Sequence, residues 1–237
     1  MKKIAGSLFF LMQCLGQLAG IPLTHLRYGF KLPDKDSCKP ECRYALPFKG
    51  RWYAANGGVT KDTSHSWAAC SQRYAYDFLM LDEGEQSFSG DRAGLNNYYC
   101  YSQDILATAD GTVVTARDSY PDTPIGEAGQ AACAAPRIQG NFILIRHSRH
   151  EYSLTAHLLK DSITVRSGDR ITKGQTIARC GNSGNTSEPH VHFQIQRGRF
   201  FLFSAGLPIH FSNLKTTDPE YPSSGFITHG HFVENQT

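Results

Sequence analysis

Two histidines separated by one residue are the most informative chemical feature of the sequence. His190 and His192 follow a polar, glycine-containing stretch at 182–188 and begin the alternating run His-Val-His-Phe-Gln-Ile-Gln. Because side chains alternate along a strand, residues two apart point to the same face, with Cα atoms about 6.5–7 Å apart. Such a pair can provide one metal ligand and one neighbouring acid–base group. Alone the motif is weak, since ordinary surface or core histidines also produce it.

Two further residues have side chains suited to the same chemistry. Asp77 lies among apolar and aromatic residues in the segment 72–80, where an ionised carboxylate is costly unless it is paired or bound to a metal. His157 lies late in the segment 152–158. Each residue also has an explanation that involves no chemistry. Asp77 could form a salt bridge with Arg73, and His157 could be a buried histidine that is hydrogen-bonded to backbone. These residue types permit a metal site without establishing one.

The surrounding sequence predicts short β-strands separated by turns. Apolar or β-branched runs bounded by turn residues lie at 111–116, 141–147, 152–158, 163–165, 170–172, 176–178 and 190–196. From residue 47 through this strand-rich region, no segment of ten or more residues has a 3.6-residue apolar repeat, so an all-β sandwich or barrel is predicted. The segments 82–103 and 118–139 lack the strand pattern and are predicted as long loops, which are often functional.

The first twenty residues have the pattern of an export signal. Met-Lys-Lys precedes an uncharged apolar stretch that ends in small residues near Gly20, which predicts a signal peptide over 1–20. The alternative is an uncleaved anchor. No later stretch is long and apolar enough for a membrane span, so none is expected in the mature chain. We expect an exported protein, periplasmic or secreted, with a leader segment over 21–46.

Composition and cysteine content agree with an exported globular domain. Charged residues make up 19% of the 237 residues and the formal net charge is +3, so neither a disordered chain nor a nucleic-acid binder is indicated. Six cysteines follow the signal segment: Cys38, Cys42, Cys70, Cys100, Cys133 and Cys180. This even number predicts disulfides whose connectivity stays open. A zinc site made of thiolates is disfavoured because there is no CxxC pair.

Several motifs in a fixed order resemble the lysostaphin-type, or LytM-like, zinc metalloendopeptidases. In chain order they span 105–113, 140–147, 156–158, 168–177, 180–184 and 190–193. The resemblance covers roughly residues 47–211. It implies an antiparallel β core with the duplicated hybrid motif fold, in a domain over 47–213 that is followed by a C-terminal tail over 214–237.

The resemblance also implies roles for individual residues. The matching positions are those of two zinc ligands, Asp77 and His192, and of a catalytic pair, His157 and His190. The commonest family pattern has a histidine four residues before the aspartate, where this chain has Arg73, so the third ligand is assigned to His65 farther upstream. Two imidazoles, one carboxylate and one open position describe a catalytic site for Zn²⁺.

The implied function is zinc-dependent hydrolysis of peptide bonds in peptidoglycan stem peptides or crosslinks. Such an enzyme needs no serine or cysteine nucleophile, because zinc lowers the pKa of water toward about 7. Peptidoglycan peptides are the expected partners. One alternative is a catalytically inactive LytM-like module that binds or regulates other cell-wall hydrolases, and another is a zinc peptidase that acts on proteins.

Overall fold

Short β-strands between turns form most of the regular structure in the computed structural model, which describes residues 2–126 and 135–236. The strands of the first half are β1 (Trp52–Asn56), β2 (Tyr76–Leu79), β3 (Asp104–Leu106), β4 (Gly111–Arg117) and β5 (Asn141–Arg146). Those of the second half are β6 (Tyr152–Leu158), β7 (Arg170–Ile171), β8 (Thr176–Arg179), β9 (Val191–Gln196), β10 (Gly206–Leu207), β11 (Leu214–Thr216) and β12 (His231–Asn235). The α-helices are α1 (Lys2–Arg27) and α2 (Tyr221–Ser224), and Leu95–Asn97 and Phe201–Phe203 each form a short 3-10 helix.

Ten of these strands form one sheet, in the order β11-β12-β1-β2-β9-β6-β5-β4-β7, with β10 beside β9. Strands β3 and β8 form a separate pair. All the pairings between named strands are antiparallel. The predicted all-β, antiparallel fold is therefore confirmed.

Strand β9 is buried on both faces at the centre of the sheet, between β2 and β6. Its side chains Val191, Phe193 and Ile195 point into the main hydrophobic core. Each such burial stabilises the fold by about 1.5–3 kcal/mol. The opposite face of β9 presents His192, so the strand that holds this candidate ligand is fixed by core packing.

Two segments differ from the sequence expectation. Residues 163–165, predicted as a strand, form none, although Thr164 donates a backbone hydrogen bond to Ile177. The segment 214–237, predicted as a tail, contributes two strands to the main sheet, because β12 pairs with β1 and β11 with β12. Val233 and Ile227 of this segment are buried, which gives the segment a place in the core.

The predicted disulfides are not supported among the cysteines that the structure describes. Cys38, Cys42, Cys70, Cys100 and Cys180 are all free, and Cys133 lies outside the described residues. Burial raises the pKa of the Cys180 thiol well above its usual value, and the Cys100 thiol contacts the Pro189 carbonyl at 3.1 Å. Cys70, Cys100 and Cys180 are buried and serve as small apolar side chains, a role that needs no pairing.

Helix α1 continues past the predicted end of the signal segment, to Arg27. Its portion Leu8–Arg27 is long and apolar enough to cross a membrane, and a signal sequence near the N-terminus has the same properties. The helix is therefore compatible with the predicted export signal.

Candidate active site

The candidate site begins as a row of residues across neighbouring strands. Asp77 on β2 lies directly opposite His192 on β9, and Asn56 on β1 lies opposite Asp77 on its other side. Ala156 on β6 is the second partner of His192, which brings the next residue, His157, beside the same row. Because directly opposite residues have Cβ atoms about 4.5–5.5 Å apart, sheet register alone brings the strand-borne side chains together.

His65 reaches the row from a loop that folds back over β2. Ser64 donates a hydrogen bond to the Arg73 carbonyl at 2.6 Å, and the Arg73 Nε donates one to the Trp67 carbonyl at 3.0 Å. The Arg73 guanidinium also lies 4.5 Å from the centre of the Trp67 ring. Arg73 thus shapes the loop that carries His65, and the alternative of an Arg73–Asp77 salt bridge does not occur.

The Asp77 carboxylate lies between two imidazoles. Its Oδ2 is 3.0 Å from His65 Nε2, and its Oδ1 is 3.0 Å from His192 Nδ1. Ligand atoms of all three residues lie within 4.8 Å of one another. Asn56 donates a further hydrogen bond to Oδ2 at 3.1 Å.

Electrostatics keep this carboxylate ionised although it is buried. Burial alone would raise the pKa of Asp77, but the charges of His65 and His190, with hydrogen bonds from His192 and His65, hold it well below its usual range. Burial also opposes protonation of His65, yet Asp77 raises the pKa of that imidazole. The cluster therefore presents an anionic oxygen ligand between ring nitrogens.

His157 and His190 form a second pair beside these three residues. Their ring centres are 4.6 Å apart, and His190 Nε2 is 3.6 Å from Asp77 Oδ1. His157 has a left-handed backbone with φ of 61°, a costly conformation for a residue with a side chain and one that occurs at functional sites. The structure thus brings all five predicted site residues into one cluster.

Backbone carbonyls fix the protonation pattern of this pair. His157 Nδ1 lies 2.7 Å from the Ser183 carbonyl, and His190 Nδ1 lies 2.8 Å from the Glu188 carbonyl. A carbonyl only accepts, so each Nδ1 carries a hydrogen, and Nε2 is the ring atom left to exchange a proton. Burial, with His190 and His192 nearby, lowers the pKa of His157 well below its usual value. His157 is therefore a neutral ring with an available base.

Sequence reasoning missed the polar residues that support the cluster, Asn56 and Gln194. Gln194 Oε1 lies 2.9 Å from His192 Nε2. The spacing was a usable signal for Gln194, because a residue two positions after His192 on a strand shares its face. Asn56 gave no such signal, since its approach to Asp77 depends on the pairing of β1 with β2.

The three residues His65, Asp77 and His192 fit a zinc ion by the chemistry of their donors. Two imidazole nitrogens and one carboxylate oxygen are a ligand set of catalytic zinc sites. Asp77 and His192 are buried, and His65 is partly buried. Their ligand atoms converge on one small region, as the ligands of a single cation do.

Comparison with known proteins adds a family assignment. Residues 92–202 match the profile of Peptidase family M23. This matched segment contains His157, His190 and His192, whereas His65 and Asp77 precede it and are connected to it by the pairing of β2 with β9.

Relatives of two kinds are similar to this chain. The peptidoglycan DD-endopeptidase ShyA of Vibrio cholerae is 33% identical over 81 residues, which are 32% of this chain and 18% of ShyA. The murein hydrolase activator NlpD of Escherichia coli is 34% identical over 107 residues, 45% of this chain and 23% of NlpD. The chain thus spans about a fifth of the length of these relatives.

One similar solved structure is the catalytic domain of the M23 protein EnpA from Enterococcus faecalis, as an A109H mutant. It is 16% identical to this chain, with a TM-score of 0.44. The match covers 70% of this chain and 94% of that one. The profile match agrees with the resemblance seen in the sequence motifs: residues 92–202, just under half of the chain, are similar to Peptidase family M23.

Proposed function

We propose that the protein is a zinc-dependent endopeptidase that cleaves peptide bonds in peptidoglycan stem peptides or crosslinks. The observation that carries the proposal is the completeness of the cluster: three metal-binding groups lie beside two histidines that backbone carbonyls hold through Nδ1. A buried carboxylate among imidazoles is costly to keep, and a module that only binds partners has no use for it.

The proposed zinc ligands are His65, Asp77 and His192. Zinc, when bound, supplies Lewis-acid activation of a peptide carbonyl and of water. The Nε2 atoms of His157 and His190 are suited to take a proton from the attacking water and to return it to the nitrogen of the leaving amine. The water oxygen forms a new bond to the carbonyl carbon, and the peptide C–N bond then breaks. No side chain is covalently modified.

The substrate class is inferred from the relatives. ShyA is named a peptidoglycan DD-endopeptidase, and NlpD is named a murein hydrolase activator. The second name keeps a non-catalytic role as an alternative, because NlpD matches a larger share of this chain than ShyA does. Both substrate and partner would be found outside the cytoplasm, which agrees with the apolar helix α1 and with the inferred signal segment 1–20.

The test compares zinc content and cleavage of purified peptidoglycan sacculi among four variants and the wild type. Asp77→Ala and His192→Ala remove proposed ligands, so we expect them to lose zinc and activity together. His157→Ala and His190→Ala remove proposed proton carriers, so we expect them to keep near-stoichiometric zinc by elemental analysis and to release no cleaved peptides by mass spectrometry.

Two outcomes would contradict the proposal. Wild-type protein with stoichiometric zinc that releases no peptides would reject the endopeptidase and favour the regulatory alternative. If His157→Ala loses zinc as completely as His192→Ala, the division between ligands and proton carriers is wrong.

A further inference from the structure

A buried polar stripe continues from the candidate ligand His192 along one face of β9. His192, Gln194 and Gln196 occupy alternate positions of the strand, and both glutamines are completely buried. The positions between them are apolar and belong to the main core. Buried amides are unfavourable unless their donors and acceptors are paired, so two consecutive buried glutamines on one face need an explanation.

The three side chains and one carbonyl form a continuous series of hydrogen bonds. Gln196 Nε2 donates to the Gly198 carbonyl at 2.6 Å, and Gln194 Nε2 donates to Gln196 Oε1 at 2.7 Å. Gln194 Oε1 then lies 2.9 Å from His192 Nε2. The series begins at backbone and ends on the ring of a candidate ligand.

The carbonyl at the beginning of the series fixes its direction. The Gly198 oxygen only accepts, so Gln196 must present its amide NH₂ to it and its oxygen to Gln194. Gln194 must in turn present its NH₂ to Gln196 and its oxygen to His192. An oxygen facing His192 requires that Nε2 of that ring carries hydrogen. Each step follows from the one before, with no freedom to reverse either amide.

The consequence is the placement of the lone pair of His192. With hydrogen held on Nε2, Nδ1 is the ring atom that can offer a lone pair to a cation. This atom faces Asp77 Oδ1 at 3.0 Å, and without a cation the contact is a hydrogen bond from the ring to the carboxylate. A cation bound there would take the place of that hydrogen, so the nitrogen and the carboxylate oxygen lie where two ligands of one cation would. Hydrogen bonds from outside a metal's ligand set commonly select the tautomer of a ligating histidine in this way.

We propose that Gln194 and Gln196 are positioning residues that hold His192 in the tautomer with hydrogen on Nε2, so that Nδ1 is the metal-binding atom. The proposal rests on the zinc site proposed above and adds the device that selects the ligand atom. Gln194 acts directly on the ring, whereas Gln196 acts only through Gln194.

The experiment measures zinc affinity by competition with a chromophoric chelator for the wild type and four variants. Gln194→Met keeps the volume but removes the acceptor, and we expect zinc affinity to fall about 10–100-fold. Gln194→Glu keeps an acceptor for Nε2, and we expect it to bind zinc more tightly than Gln194→Met. Gln196→Met contacts neither His192 nor Asp77, yet we expect a measurable loss because Gln194 is then free to reverse its amide.

The matched control is Ile195→Val, a buried change on the opposite face of the same strand. We expect it to lower the melting temperature while leaving zinc affinity unchanged, which separates general loosening of β9 from loss of the hydrogen-bond series. Gln194→Met with wild-type zinc affinity would overturn the proposal, as would an equal loss of affinity in Ile195→Val.

A second measurement is independent of zinc binding and of activity. In ¹⁵N-detected spectra of the metal-free wild type, the His192 ring should show hydrogen on Nε2, and this signature should change in Gln194→Met. A wild-type ring without hydrogen on Nε2 would overturn the inference. If the wild type shows the signature but binds no zinc, the zinc-site proposal fails while the assignment of the tautomer stands.

Discussion

A single carboxylate connects the candidate ligands at the scale of residues. One oxygen of Asp77 faces His65 and the other faces His192, each at 3.0 Å. His65 is the member with the least support from regular structure, because it lies on a loop rather than a strand. The contribution of His65 to metal binding is therefore the first property of an individual residue to test.

We predict that His65→Ala lowers zinc affinity strongly and abolishes cleavage of sacculi without unfolding the domain. Two protein ligands rarely hold a catalytic zinc ion, and Arg73, at the position where the commonest family pattern has a histidine, stays protonated and cannot replace a ligand. The measurements are elemental analysis for zinc, peptide release, and the melting temperature of the metal-free protein.

The control for that variant is His229→Ala, which removes an exposed histidine far from the cluster in sequence. It should match the wild type in zinc content and in activity. A His65→Ala protein that binds one zinc ion per chain and digests sacculi at the wild-type rate would show that the third ligand is another residue.

At the scale of elements, the loop before β9 holds the proton carrier His157. The Ser183 carbonyl accepts from His157 Nδ1, and the Ser183 hydroxyl donates to the Leu158 carbonyl at 2.7 Å. Gly184 follows with φ of 91°, and a Cβ at this position would overlap the backbone of Gly140. The close approach of these two backbones requires glycine, and it fixes the carbonyl that orients His157.

We predict that Gly184→Ala reduces turnover far more than it reduces zinc affinity. The added methyl group must displace the loop from Gly140, which moves the Ser183 carbonyl away from His157, whereas the three ligands lie on other elements. The strain of a left-handed alanine adds about 1–2 kcal/mol. Turnover on sacculi and chelator competition are the two measurements.

Gly174→Ala is the matched control for that prediction. Gly174 also has a left-handed backbone, with φ of 83°, but a Cβ there meets no atom within 4 Å. Its alanine variant carries the strain without the backbone overlap, so it should lose stability and keep turnover. Equal losses of turnover in both variants would mean that strain, and not the position of the loop, is responsible.

The elements also show where sequence reasoning succeeds and fails. Strands β4, β5 and β6 were predictable because apolar or β-branched runs lie between clear turn residues. Strand β2, Tyr-Asp-Phe-Leu, is buried at every position and so has no alternation to detect. The position of His65 was suggested only by resemblance to a family, since nothing local specifies how a loop folds back over a strand. The buried thiols were misjudged because an even number of cysteines carries no information about their distances.

At the scale of the molecule, the C-terminal segment supports the candidate site from a distance. Strand β12 pairs with β1, and β1 pairs with β2, which carries Asp77. Leu214, Ile227 and Val233 from this segment are buried in the main core. In the described structure, the segment makes no hydrogen bond or ion pair with the five candidate residues. It is connected to Asp77 through the sheet, by way of β1 and β2.

We predict that a chain truncated after residue 213 fails to fold and binds no zinc, although it retains every candidate site residue. Burial of the three apolar side chains it loses is worth about 5 kcal/mol or more in total. Typical domains have a free energy of unfolding of only about 5–15 kcal/mol, and the truncation also leaves β1 at the edge of the sheet without a partner on that side.

A matched chain truncated after Asn235 keeps β12 and should melt cooperatively with zinc bound. Thermal unfolding followed by circular dichroism, with elemental analysis for zinc, compares the two chains. If the shorter chain melts cooperatively near the wild-type temperature and retains zinc, the folded unit ends before residue 214 and β11 and β12 are dispensable.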